Sequence, residues 1–236
     1  MARSAWIRAL QAWVLLAAAC VTASACASEA AGAAAIAHQG SGMHTVEVDM
    51  ITSLGTITLE LYPDKAPITV ANFLRYVDEK RYAGAKFYRT VRPDNDNNPH
   101  GITVIQGGLD AVVQGGANHT SSLPPIEHES TQVTGLRHVD GTISMARERP
   151  GTAGSEFFIC IGDNPSLDFG GRRNQDGLGF AAFGRVIAGM PVVKQIGAAA
   201  SNAPANDAYV HGQILEHPIE ILDVHRRKLA GARPIH

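Results

Sequence analysis

Val46-Glu47-Val48-Asp49-Met50, a break at Ser53-Leu54-Gly55, then Ile57-Thr58-Leu59-Glu60-Leu61: apolar and polar residues alternate on both sides of the break. An extended chain points successive side chains to opposite faces, so this period of two gives each run one apolar and one wet face. With a glycine in the break, the two runs predict an antiparallel hairpin. The period then changes. Val70, Phe73, Leu74 and Val77 fall on one helix face, with Pro67 in the first turn, where its missing N–H is no loss, and a helix is expected over residues 67–80.

Beyond Gly84 the chain returns to short extended runs at residues 86–91, 103–106, 142–146, 156–161 and 181–186, punctuated by Gly, Pro, Asn and Asp. Val192, Val193 and Ile196 mark a second short helix, and Ile219, Ile221 and Val224 a closing strand of imperfect alternation. Many short strands with two helices and no strand–helix–strand rhythm predict a mainly β chain closed into an antiparallel barrel. Closure removes the unpaired edges that invite aggregation. Residues 94–101, 118–134 and 169–179 read as loops inserted on that barrel.

The amino-terminal residues follow a different logic. Arg3 and Arg8 precede an apolar run from Ala9 to Ala19 broken by Gln11, and small residues follow at Ala23-Ser24-Ala25 and Ala25-Cys26-Ala27. A basic start, an apolar run too short for an ordinary membrane-spanning helix and a small-residue cleavage point are the marks of an export signal. Residues 1–27 are therefore expected to be a signal peptide cut near Ala25 or Ala27, placing the protein in the periplasm or outside the cell. The alternative is a lipid anchor at Cys20 or Cys26, although neither cysteine follows the leucine usual in a bacterial lipid-attachment motif. Residues 28–44, rich in Ala and Gly, read as a flexible tether, residues 45–228 as one domain and residues 229–236 as a tail.

Composition narrows the classes. Of 236 residues, 45% are apolar and 18% charged, which suffices for a packed core. The net charge of −2 and the lack of a Lys/Arg block argue against a nucleic-acid or membrane-surface footprint. Loss of residues 1–27 lowers Lys+Arg from 20 to 18 against 22 acids, a net charge of −4. It also leaves Cys160 as the one cysteine, so the domain must be held by its core and not by a disulfide. Peptides or small molecules are the expected partners, and a monomer the expected state.

Four segments carry chemistry. Phe87-Tyr88-Arg89-Thr90-Val91 sets a cation among apolar residues, and Ile105-Gln106-Gly107-Gly108 follows it. Met145-Ala146-Arg147 and Gly154-Ser155-Glu156-Phe157-Phe158-Ile159 come later. Neither a nucleophile elbow nor a phosphate-cradling loop accompanies them, which suits a reaction that makes and breaks no covalent bond. Taken alone, Arg89 reads as a strand residue reaching for solvent. Phe157 and Phe158 are adjacent, so on a strand one faces the core and the other, Phe158, is free for a groove. His119, His128 and His138 with Glu127 and Glu129 are competent ligands by type but match no zinc spacing, and neither metal nor cofactor is expected. Cys160 among apolar neighbours reads as an inert buried thiol.

In their order these segments, with Gly55-Thr56-Ile57, Leu61-Tyr62-Pro63-Asp64-Lys65-Ala66-Pro67 and Thr69-Val70-Ala71-Asn72-Phe73, resemble the cyclophilin family of peptidyl-prolyl cis-trans isomerases over roughly residues 46–226. The resemblance implies an eight-stranded antiparallel β-barrel capped by two α-helices, with a substrate groove outside one sheet face. It implies rotation of X-Pro bonds in proline-containing peptides and unfolded protein clients. Residue by residue it makes Arg89 the catalytic arginine and Gln106 its companion. Phe87, Thr103, Val104, Ala146, Glu156, Phe158, Leu167 and Phe180 surround the substrate, with Phe158 the floor of a proline pocket and Leu167 its wall.

Several positions depart from the family. Val104 stands where methionine is common, Thr103 where phenylalanine is, Glu156 for glutamine and Ser166 for tryptophan, and no clear counterpart of the groove histidine occurs near Phe180. The missing phenylalanine thins an apolar wall that Phe180 could rebuild. The missing indole implies weak cyclosporin binding. Two other readings stand beside the isomerase: a cyclophilin-like chaperone that holds proline segments with little turnover, and a barrel for a small apolar ligand.

Overall fold

The computed structural model describes residues 43–109 and 123–228. The expectations for the signal peptide with Cys20 and Cys26, for residues 28–42 of the tether, for His119 and for the tail at 229–236 lie outside the described residues. Eight strands close into one barrel: β1 (Val46–Thr52), β2 (Gly55–Leu61), β3 (Lys86–Val91), β4 (Val104–Gly108), β5 (Thr142–Met145), β6 (Phe157–Cys160), β7 (Ala181–Ala188) and β8 (Ile214–Arg226). Their order around the wall is β1-β2-β7-β5-β6-β4-β3-β8, and every pairing is antiparallel.

Alternation sets the register of the first hairpin. Val48 lies opposite Leu59 and Met50 opposite Ile57, all with no exposed surface. A slip by one residue would turn this whole apolar set to solvent, which is why the pairing is unique. On the outer face the register puts Glu47 opposite Glu60, a repulsive cross-strand pair. Arg227 donates to Glu47 at 3.2 Å and Arg185 to Glu60 at 3.0 Å, which offsets it.

The first helix, α1 (Pro67–Asp78), ends two residues earlier than the apolar pattern suggested, because Lys80 takes a left-handed φ of 56°. A one-turn helix, α2 (Thr131–Thr134), makes three α-helices among the described residues where two were expected; four residues are too few for a helical period to show. The third, α3 (Met190–Gly197), is the second helix the sequence indicated. β8 runs well beyond its apolar triplet, because one end pairs with β3 and the other with β1.

The core sits inside the barrel. Phe157 stands edge-on to Phe73, Tyr82 and Phe87, with ring centroids 5.8, 5.6 and 5.7 Å away, the arrangement that ring quadrupoles favour. Val70, Phe73 and Val77 of α1 pack into the same cluster. The N-terminus of α1 has no local side-chain cap. Glu129 supplies one from sixty residues away, accepting from the Ile68 and Thr69 amides at 3.1 and 2.7 Å and from the Thr69 hydroxyl at 2.6 Å. A carboxylate there satisfies orphan N–H groups and meets the positive end of the helix dipole. Glu129→Ala should lower stability by about 1–2 kcal/mol, read as a lower urea midpoint with an unchanged slope; an unshifted midpoint would show that the cap carries no stability.

Candidate active site

The wall beside the site contains an irregularity. Phe87 pairs with Gly107 and Arg89 with Gln106, so Tyr88 is an extra residue in β3. In a regular strand Phe87 and Arg89 would share a face; the bulge reverses the phase. Phe87 turns into the barrel core against Phe157, with no exposed surface, while Arg89 turns outward to Gln106. Phe87 is therefore a core residue, which corrects its expected place around the substrate. Thr103 is also outside the groove: its amide donates to the Asn164 side chain at 2.6 Å, its carbonyl accepts from Ile161 at 2.9 Å, and Ile102 lines the groove in its stead.

Outside β3, β4 and β6 lies a cavity of about 640 Å³ lined by Arg89, Val104, Gln106, Ala146, Glu156, Phe158, Leu167 and Phe180, among others. Its apolar part is a second cluster, separate from the barrel core, of Val91, Val104, Phe158, Cys160, Leu167 and Phe180, with Ile102 and Ala146 packed on it. Phe158 meets Phe180 edge-on at 5.3 Å and is backed by the His138 ring at 5.9 Å, nearly parallel. His138 in turn is fixed by Asp168 at 2.8 Å through Nδ1 and by Ser144 at 3.0 Å through Nε2. Burial pushes the Asp168 carboxyl up, but its hydrogen bonds from His138 outweigh that and hold it below the usual range.

The polar part is a directed chain. Arg89 Nη1 donates to Gln106 Oε1 at 2.8 Å, Gln106 Nε2 to the Tyr88 hydroxyl at 2.9 Å, and that hydroxyl to Glu156 Oε2 at 2.5 Å. Ser155 donates to the other Glu156 oxygen at 3.0 Å. Burial, then Glu156, holds the Tyr88 phenol well above its ordinary value, so it stays a donor. On the other flank Arg89 Nε and Nη2 donate to Gln213 Oε1 at 2.9 and 2.5 Å, and Gln213 Nε2 to the Asn95 carbonyl at 2.8 Å. Burial lowers the Arg89 guanidinium from its ordinary value and nearby Arg173 lowers it further, against the raising influence of Tyr209 and Tyr88; an arginine remains a cation at neutral pH regardless. Gly108, at φ 152°, makes room for this chain, since a Cβ there would lie 2.5 Å from a Glu156 carboxylate oxygen.

Gln213, Tyr209, Arg173 and Ile102 also belong to the site, and no sequence pattern marks them. They sit singly in loops or at a strand end, where no period marks them. The histidines and acids weighed as metal ligands are scattered: Glu129 caps α1, His128 faces the Leu178 carbonyl at 3.1 Å and His138 supports Phe158. Among the described residues no group of three or more His, Cys, Asp or Glu converges.

Comparison with known proteins gives a consistent result. The family model described as cyclophilin type peptidyl-prolyl cis-trans isomerase/CLD matches residues 47–224. A peptidyl-prolyl cis-trans isomerase of Acinetobacter baylyi is 34% identical over 187 residues, covering 79% of this chain and 88% of its own. Peptidyl-prolyl cis-trans isomerase B of Escherichia coli is 35% identical over 146 residues, covering 61% of this chain and 80% of its own. A crystal structure of a cyclophilin type peptidyl-prolyl cis-trans isomerase from Cryptosporidium parvum shares the fold at a TM-score of 0.57 and 22% identity, covering 78% of this chain and 99% of that one. A second structure of that protein was determined in the presence of the dipeptide ala-pro.

The groove's apolar cluster makes a chemical prediction through Cys160. Burial pushes its thiol far above the ordinary value, and the thiolate is the reactive form. Iodoacetamide at pH 8 should label Cys160 only after denaturation; labelling of the folded protein at the rate of a free thiol would show that the cluster opens.

Proposed function

We propose that this chain, which belongs to the cyclophilin-type peptidyl-prolyl cis-trans isomerase family, rotates X-Pro bonds by offering Arg89 to the proline nitrogen of a twisted amide. Resonance sets a barrier of about 18–20 kcal/mol to peptide rotation. The cis form of X-Pro costs only roughly 0.5–1 kcal/mol, so both isomers are populated and a catalyst need only favour the state between them. In that state the nitrogen loses conjugation and regains a lone pair. A planar amide nitrogen is a poor acceptor, so a donor placed there binds the transition state selectively.

The observation that carries this reading is the anchoring of Arg89 by two glutamine oxygens at the rim of the apolar pocket. Those contacts use three of the five guanidinium N–H groups and leave two for substrate. Among the described residues no carboxylate forms an ion pair with Arg89, so its charge is available. Phe158 and Leu167 receive the proline ring. Gln106 gives one amide proton to Tyr88 and keeps the other for a substrate carbonyl.

Phe180, edge-on to Phe158, supplies the apolar wall that Thr103 does not. Ser166 donates to the Gly101 carbonyl at 3.2 Å where the family has an indole, which supports weak cyclosporin binding. The basic start and apolar run between Arg3 and Ala19 support clients that are unfolded or flexible exported polypeptides, met in the periplasm by a free protein or by one anchored through Cys20 or Cys26.

Arg89→Ala should lower kcat/KM on an X-Pro peptide on the order of 10²- to 10³-fold, the loss typical of one preorganised donor, with the fold intact by circular dichroism. Arg89→Lys should recover little, since a point charge cannot engage both glutamines as the fork does. Turnover of the alanine variant at the parent rate would remove Arg89 from the mechanism.

A further inference from the structure

The insertion that follows Asp168 is tied to its surroundings by buried arginines and backbone hydrogen bonds. Arg147 donates to Asp176 at 2.8 and 3.0 Å and to the Gly179 carbonyl at 3.0 and 2.6 Å. Buried Arg173 donates to both Asp96 oxygens at 2.9 and 2.6 Å and to the His100 carbonyl at 3.0 Å. The Asn98 amide holds the Arg173 carbonyl at 3.3 Å, and the Arg173 N–H donates to the Ser166 carbonyl at 3.1 Å. A loop so tied has little freedom to reorient its side chains.

Between these anchors stands Asn174, which lines the same cavity as Arg89. Its Nδ2 is buried without a hydrogen-bond partner, and among the described residues it is the one side-chain atom in that condition. Folded chains satisfy their buried donors, and an exception in a groove points to an acceptor that arrives with the ligand. Tyr209 completes the setting, its ring centroid 5.6 Å from the Arg89 guanidinium carbon and 5.7 Å from that of Arg173. Asp207, close by, already accepts from the Tyr209 amide at 2.9 Å.

We infer that Asn174 donates to a backbone carbonyl of the residue flanking the substrate proline, so that the insertion forms a second subsite for peptide chain beyond the proline pocket. A backbone carbonyl fits because every polypeptide substrate carries one at a fixed distance from its proline, and the Tyr209 ring offers a flat face to the side chain next to it. One fixed amide can meet the chain on one side of the proline only. The inference rests on the groove being the isomerase site, and its test separates the two.

Three substrate sets serve: a minimal blocked X-Pro peptide, the same core extended before the X residue, and the core extended after proline. Asn174→Ala and Asn174→Asp should leave kcat/KM on the minimal peptide unchanged and lower it about 5- to 10-fold, through KM, on one extended series only, the yield of one lost hydrogen bond. The aspartate keeps the shape but cannot donate, so it should lose at least as much as the alanine. Because Asn174→Ala removes an unsatisfied donor, it should not lower the melting temperature. Equal kcat/KM for parent and variants on both extended series would overturn the subsite, as would an equal fall on all three sets. Failure of the parent protein itself on the minimal peptide would strike instead at the isomerase reading.

Discussion

Tyr88 interrupts the regular pairing of β3 with β4, and that one extra residue decides which side of the barrel wall each neighbour faces. Without it, strict alternation would put Phe87 and Arg89 on the same face. Either the core would lose the ring that packs against Phe157, or the guanidinium would lie in an apolar interior where a charge is very costly. The bulge lets one short strand fill the core and arm the groove within three residues. Glycine at 107 belongs to the same solution, because a Cβ there would lie 2.8 Å from the Lys86 carbonyl and 2.9 Å from the Phe87 ring.

Once Arg89 faces outward, its usefulness depends on what fixes it. The donors along Arg89, Gln106, Tyr88 and Glu156 all point the same way, from the cation toward the carboxylate. A carboxylate can only accept, so Tyr88 must donate to it, Gln106 must donate to Tyr88, and the Gln106 oxygen must turn to Arg89. A glutamine in place of Glu156 could donate as well as accept and would leave that order open. Glu156 thus closes a run of donors that starts at Arg89, and each bond in it polarises the next.

The parts of this fold that follow a period were legible: the first hairpin, α1, α3 and the short strands all announce themselves through apolar spacing. A bulge does not, since one extra residue leaves no mark in apolar spacing, and Phe87, placed around the substrate by resemblance, faces the core instead. The error at Thr103 has a different origin. Its backbone is held at the strand end by Asn164 and Ile161, and the preceding residue, Ile102, turns into the groove. Gln213 meets Arg89 across 124 positions of chain, a contact set by β8 returning beside β3, and no local pattern encodes it. Arg89, Gln106 and Phe158, named from the motifs, line one cavity, whereas the loop residues around them answer to tertiary placement alone.

The groove lies outside the barrel because the inside is full. Phe157 packs the interior and Phe158 the exterior cluster, so a single strand wall serves both, and any motion of the groove floor is opposed by the core behind it. His138, held by Asp168 and Ser144, backs the Phe158 ring from another side. Such stiffness suits a reaction whose ground and transition states differ chiefly in the twist of one amide and the availability of one lone pair. A donor that could follow the substrate would stabilise both states alike and gain nothing in rate. On the proposed mechanism, a guanidinium held between Gln106 and Gln213 favours the twisted state alone.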